Sequence, residues 1–296
     1  MKYRTLGSTG LEVSVIGVGT WQLGGEWAHD YTQGEVDALL DAAAEEGINL
    51  IDTAECYGDH LSESLVGDYL ARRGRERWLV ATKFGHRFHS FMNRTEDFSV
   101  AGMREQLEGS LKALRVERID LYQFHSGSDE WFANEELWRA LEELKREGKI
   151  RHVGISILGK GSEGQAQAAK SVGAEALQVV YNRMDRRPEE MYFPYAVQDG
   201  LGVLARVPLA SGLLSVKYRA GESFVKGDFR STFDAEKLER DLAEVERLKR
   251  EEVPEGVPMA QWALAWCLQN EAVTAVIPGC KSAEQVRFNA AAAALA

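Results

Sequence analysis

Ile48-Asn49-Leu50-Ile51-Asp52-Thr53-Ala54-Glu55-Cys56-Tyr57-Gly58 is an apolar run that ends on a carboxylate and then turns. Two further stretches follow the same rule: Leu79-Val80-Ala81-Thr82-Lys83 ends on a lysine, and Asp120-Leu121-Tyr122-Gln123-Phe124-His125 ends on a histidine. Short apolar or β-branched runs alternating with longer amphipathic segments are the pattern of repeated strand-helix units on a parallel sheet. Working outward from the three, candidate strands are Val15 to Trp21, Asn49 to Ala54, Trp78 to Phe84, Leu121 to Ser126, Arg151 to Ser156, Leu177 to Tyr181, Val203 to Val207 and Ala275 to Pro278. Gln33 to Glu46, Leu61 to Arg73, Val100 to Leu114 and Asn134 to Glu147 repeat apolar residues at three- and four-residue spacing, so they read as helices, with Gly47, Gly74 and Gly148 as stop signals. Eight such units predict the α/β class and a (β/α)8 TIM barrel.

The remaining segments fit around that frame. Lys2 to Leu6, a Gly7-Ser8-Thr9-Gly10 turn and Glu12 to Ser14 read as an N-terminal β-hairpin able to plug one end of the barrel. Leu214 to Asp234, rich in Gly, Lys and Arg, breaks the rhythm, and Ala235 to Glu252 is a strongly charged helical run, so an inserted loop and surface helix are expected near the C-terminus. Long loops in compact domains are functional or disordered, which leaves a lid over a ligand and a disordered segment as the two readings. Ala290 to Ala296 reads as the last turn of a closing helix. No Ser/Pro-rich linker divides the chain, so residues 1–296 read as a single barrel domain; the ~250 residues typical of such barrels leave room for the insertion.

Composition narrows the function classes. The formal charge of -11 argues against nucleic-acid and anionic-membrane partners, because both would repel the protein at long range. Three scattered cysteines, Cys56, Cys267 and Cys280, make neither a disulfide framework nor a thiolate zinc site, so no metal is expected and a reducing cytoplasm fits best. MKYRTLGSTGLEVS lacks the apolar core of a signal peptide, and no apolar run approaches the ~20 residues of a membrane helix. Gly17-Val18-Gly19 fails as a dinucleotide fingerprint, since Gln22 stands where a third glycine is needed and Asp52 lies too far on.

Strand ends of such a barrel converge on one site, so Asp52, Lys83 and His125 would share a cleft. Alone, each has an ordinary structural reading as a cap, a snorkelling cation or a core histidine. Together, they suggest a desolvated lysine with a carboxylate counterion. Tyr57, five residues after Asp52, can fold back over the same cleft. A neighbouring ammonium would lower a phenol pKa, making Tyr57 a general acid, with Lys83 as the perturbing charge, Asp52 holding Lys83, and His125 hydrogen-bonding a carbonyl oxygen.

With Asp52-Thr53-Ala54, Tyr57-Gly58, Ser62-Glu63 and Gly67 in place, Gly47 to Gly67 resembles the signature of the aldo-keto reductase family, and the likeness runs through nearly the whole chain. The family's Asp, Tyr, Lys and His match Asp52, Tyr57, Lys83 and His125 as catalytic residues. The resemblance implies an NADPH-dependent oxidoreductase that reduces aldehydes or ketones to alcohols; the alternative is a cofactor-bound partner protein on the same barrel with little turnover. A third reading, an isomerase or lyase with a Lys83 Schiff base, leaves Tyr57 and Asp52 redundant.

The resemblance also implies the NADP(H) contacts: Gly19, Thr20 and Trp21 from the first strand, and Ser156 and Gln178 at the nicotinamide carboxamide. Leu209, Ser211, Leu213 and Lys217 would wrap the pyrophosphate, and Gly279, Lys281, Ser282, Gln285 and Asn289 would hold the adenosine end, with Lys281 and Ser282 neutralising a 2'-phosphate and Arg287 within possible reach of it. Two positions depart from the family: Ile157 replaces an asparagine, and Arg206 stands where an aromatic ring stacks on the nicotinamide. Arginine is planar and also stacks, or it could pair with an anion. Trp21, Trp27 and Phe84, with Phe88 and Tyr192 further out, would wall a pocket for a small-molecule carbonyl substrate. The sequence lacks the long C-terminal tail that covers the substrate in some members of the family, so the pocket is expected to be more open, or closed by Leu214 to Asp234 instead.

Overall fold

The computed structural model describes residues 1–159, 162–219 and 221–296. Its strands are β1 (Tyr3–Thr5), β2 (Glu12–Ser14), β3 (Val18–Gly19), β4 (Leu50–Asp52), β5 (Leu79–Phe84), β6 (His86–Ser90), β7 (Asn93–Glu96), β8 (Ile119–His125), β9 (Ile150–Ser156), β10 (Ala176–Val180), β11 (Gly202–Arg206) and β12 (Ala275–Val276). Apart from β1, β2, β6 and β7, these make one parallel sheet of eight strands in sequence order. Parallel bridges from Ile16 to Val276 and from Gly19 to Gly279 join first strand to last, so the sheet closes on itself as a barrel.

The larger helices are α1 (Gln33–Glu45), α2 (Leu61–Arg73), α3 (Val100–Leu114), α4 (Asp129–Phe132), α5 (Glu135–Arg146), α6 (Glu163–Ala168), α7 (Pro188–Met191), α8 (Phe193–Asp199), α9 (Ala235–Glu251), α10 (Met259–Gln269) and α11 (Ala283–Ala290). Local chemistry starts several of them: Thr32 and Glu35 form a capping box on α1, and Ser99, Asn134 and Asp234 cap α3, α5 and α9. Among the described residues, no helix is long and apolar enough to cross a membrane.

Side-chain alternation along the strands sorts the barrel interior into layers. Leu50, Ala81, Leu121, Ala176, Leu204 and Ala275 form a lower apolar layer, and Leu6, Leu11 and Val13 of the N-terminal hairpin pack onto it as a floor. Two residues further along the same strands stand Asp52, Lys83, Gln123, Gln178 and Arg206, the upper polar layer. The hairpin thus plugs the end opposite the chemistry.

Three expectations change. The first strand is shorter than Val15 to Trp21: the ladder stops at Gly19, and Trp21 opens a tight turn, Trp21–Gly24. Strands β6 and β7 form an antiparallel hairpin after β5 that the sequence, with its many polar residues there, did not announce. Leu214 to Asp234 carries an ordered turn, Phe229–Thr232, and ties back to the barrel loops; only residue 220 of it lies outside the described residues. The alanine-rich end continues α11 as a single turn, Ala291–Ala294.

Candidate active site

Lys83 has no exposed surface, and a buried ammonium is tolerated only when paired and hydrogen-bonded. Its Nζ donates to Asp52 Oδ1 at 2.7 Å, to the Thr53 carbonyl at 2.7 Å and to the Tyr57 hydroxyl at 3.3 Å. The other Asp52 oxygen accepts from Gln178 Nε2 at 2.7 Å and Gln123 Nε2 at 3.3 Å. Burial opposes the Lys83 charge, but Asp52 and the Tyr57 oxygen outweigh it and hold the pKa above that of an ordinary lysine.

Tyr57 departs from expectation. Burial pushes its phenol up to about 12, and the opposing pull of Lys83 does not cancel that rise, to which Asp52 adds. The hydroxyl therefore keeps its proton throughout the neutral range. Burial, reinforced by the neighbouring His86, Lys83 and Arg206, holds the His125 pKa well below the usual imidazole value. A neutral His125 has one N–H to donate. Its ring meets Tyr57 edge-on at 6.2 Å and His86 at 5.0 Å, and its Nδ1 lies 3.7 Å from Cys56 Sγ.

The loop carrying Tyr57 is fixed by a chain of hydroxyls. Thr53 and Ser62 are in contact at 3.0 Å, Ser62 donates to Thr20 Oγ1 at 2.8 Å, and Thr20 donates to the Asp52 carbonyl at 2.9 Å. Glu63 accepts from Thr82 Oγ1 at 2.5 Å and contacts His60 Nδ1 at 2.5 Å. Gly24 lets the turn after β3 press against this loop, because a Cβ there would lie 2.6 Å from the Tyr57 carbonyl carbon. Much of the sequence signature is thus scaffolding for one tyrosine.

Tyr57 opens on a cleft of about 300 Å³ at the upper end of the barrel. Of the residues singled out in the sequence, Gly19, Thr20, Trp21, Trp27, Asp52, Gln178, Arg206, Leu209, Ser211, Lys217, Gly279, Lys281 and Gln285 line it. Lys83 and His125 do not line it; both pack next to Tyr57. Ser156 is buried in the polar layer, its Oγ without a partner among the described residues.

Several proposed residues are elsewhere. Phe84 is fully buried against Phe98, Tyr122 and Phe124, because a strand residue next to inward-facing Lys83 points to the helix side. Leu213 packs with Leu238 and Leu242 of α9. Ser282 caps α11 by accepting from the Gln285 amide, and Asn289 is buried with its amide donating to Cys280 Sγ at 3.4 Å. Arg287 pairs with Glu45 at 2.8 Å. Phe88 and Tyr192 are off the cleft as well.

Glu26, Arg230 and Phe229 are among the contributors that escaped the sequence reading. Glu26, almost wholly buried, accepts from Trp21 Nε1 at 2.7 Å and the Met92 amide at 2.9 Å and pairs with Arg94, tying the β6–β7 hairpin to the cleft wall. Arg230 lines the cleft, is paired with Asp228 and Tyr218, and lies over the Trp27 ring at 5.0 Å. Phe229 packs on Trp21 and Trp27 at 4.6 Å each. Aromatic residues at 218, 224, 229 and 233 interspersed with basic residues were the available signal that this loop packs. Near Tyr57, donor atoms of Glu55, Cys56 and His125 lie within 4.8 Å of one another. Burial pushes the Glu55 carboxyl up to about 8 and raises the Cys56 thiol, so both hold protons that a cation would have to displace into desolvated surroundings.

A parallel eight-stranded barrel thus carries a tyrosine hydroxyl, a buried lysine and an aspartate in one cluster at its strand ends, the arrangement of an acid-base site. The model of the Aldo/keto reductase family matches residues 15–296. An oxidoreductase of Bacillus subtilis (strain 168), YqkF, is 34% identical over 99% of this chain and 91% of its own length. The holo form of aldo-keto reductase AKR11C1 from Bacillus halodurans superposes with a TM-score of 0.83 at 34% identity, over 99% of this chain and 90% of that one. The glycerol dehydrogenase AKR11B4 from Gluconobacter oxydans has a TM-score of 0.82 at 32% identity, over 96% and 87%. This chain belongs to the aldo/keto reductase family.

Proposed function

We propose that the protein reduces aldehydes or ketones to alcohols with NADPH, Tyr57 acting as general acid. The observation that carries this reading is the Tyr57 hydroxyl, protonated at neutral pH, facing the cleft while hydrogen-bonded to a buried lysine. As an oxygen on the substrate gains negative charge, the proton of Tyr57 moves to it, and the charge left on the phenolate is stabilised by Lys83 at once. Asp52, gripped by Gln178, keeps the ammonium aimed at that oxygen. Neutral His125 supplies a second donor beside Tyr57.

The cleft suits a dinucleotide. Ser156 Oγ, Gln22 Oε1 and Arg206 Nε are buried without partners among the described residues, and polar ligand groups would satisfy them. Lys217, Lys281 and Arg230 gather cationic side chains along the cleft in an otherwise acidic protein, which supports NADPH over NADH. Gln178 and Ser156 would hold the nicotinamide end, Arg230 with Lys217 and Lys281 the phosphates. When bound, the cofactor supplies the hydride to the carbonyl carbon. Trp21 and Trp27, with Phe229 packed against both, would wall an apolar space for the substrate.

The test is NADPH oxidation with a panel of small aldehydes and ketones, repeated with NADH. Turnover with NADPH and weaker turnover with NADH are expected. Tight NADPH binding with no turnover across the panel would instead favour a cofactor-bound partner protein.

A further inference from the structure

Two cations lie near Tyr57, with opposite electrostatics. Lys83 is neutralised by Asp52 at 2.7 Å. Arg206, at the end of β11, lines the cleft, and among the described residues its guanidinium makes one hydrogen bond, from NH2 to the Ile157 carbonyl at 3.2 Å. Its Nε is buried without a partner, and among the described residues no carboxylate comes within ion-pair distance of it. Asp52, the acid whose field reaches it, is already spent on Lys83. Burial accordingly lowers the Arg206 pKa, though guanidinium stays charged at neutral pH. Beside Tyr57, Arg206 is therefore a positive charge without a carboxylate partner among the described residues.

From this we infer that Arg206 discriminates the redox state of the nicotinamide, favouring NADPH over NADP⁺. The inference rests on the proposed reductase function. Proton and hydride go to the two atoms of one carbonyl, so a nicotinamide that serves Tyr57 would lie in the part of the cleft lined by Tyr57, Asp52 and Arg206. The ring is neutral in NADPH and carries a positive charge in NADP⁺, whereas the phosphates carry the same charge in both. The ratio of the two affinities thus isolates charge felt at the ring. A desolvated cation repels the pyridinium, and a planar guanidinium stacks better on the electron-rich dihydropyridine. The protein would load the reduced form preferentially and let the oxidised form leave.

The test is a pair of equilibrium titrations, NADPH and NADP⁺, on wild type, Arg206→Met and Arg206→Lys, read by ligand and tryptophan fluorescence or calorimetry. The wild-type preference for NADPH is expected to shrink on the order of tenfold in Arg206→Met, as Coulomb attenuation at an effective dielectric of about 20 allows, and to persist in Arg206→Lys. If Arg206 serves the pyrophosphate instead, both affinities fall by the same factor and an unchanged ratio overturns the inference while leaving the reductase reading intact. Failure of wild type to bind either form would overturn both.

Discussion

The two layers inside the barrel lie two residues apart on the same strands and obey opposite rules. In the lower layer, Leu50, Ala81, Leu121 and Leu204 are held by burial alone, under the hairpin floor. In the upper layer, Asp52, Lys83, Gln123 and Gln178 are equally dry but persist because each satisfies another. Apolar contacts fail one at a time and in proportion to what is removed. A buried charge network fails as a unit, since deleting one member strands its partner.

The sharpest way to break that comparison is Lys83→Met, which leaves Asp52 buried without its cation. A stability loss of about 3–5 kcal/mol is expected from urea unfolding, with part of it recovered in the double variant Asp52→Leu/Lys83→Met. A loss no greater than at an exposed lysine would mean the two layers do not differ. Leu121→Ala in the lower layer is expected to cost about 2–5 kcal/mol, while NADPH affinity measured on the folded protein stays at the wild-type value.

Glu55 sharpens the comparison through pH. Desolvation raises its folded-state pKa from 4.5 to about 8, so below pH 4.5 it is protonated whether folded or unfolded. As pH rises towards 8, the unfolded chain releases this proton and the folded chain does not, and stability falls. Glu55→Gln should flatten that decline in thermal midpoints taken across the window; an unaltered slope would show that the carboxyl is not desolvated. The smallest effect belongs outside both layers: Arg287→Ala breaks an exposed pair with Glu45 and should change stability by about 1 kcal/mol or less.

Asp52, Lys83 and His125 were legible in the sequence because each ends an apolar run, and the parallel barrel follows from the spacing of those runs. Sheet alternation decides the details that were not. Phe84 follows Lys83 and so turns to the helix side; reading it as a cleft wall ignored that period of two. Trp21 does reach the cleft, but from a tight turn, oriented by Glu26, a partner five residues on that no strand pattern marks. The rise in the Tyr57 pKa was equally hidden: sequence names the ammonium that lowers it, whereas the burial that wins emerges only when the loops close. Likewise Arg230 needs Asp228, Tyr218 and Trp27 assembled around it before its place on the cleft is visible.

The central claim is that a protonated Tyr57 delivers the proton, and Tyr57→Phe tests it most directly, because one oxygen is removed and the ring packing is kept. Single-turnover NADPH oxidation with a carbonyl substrate should slow about a hundred- to ten-thousand-fold, with NADPH affinity and thermal midpoint close to wild type. Wild-type rates in Tyr57→Phe would contradict the account and move the proton source elsewhere in the cleft.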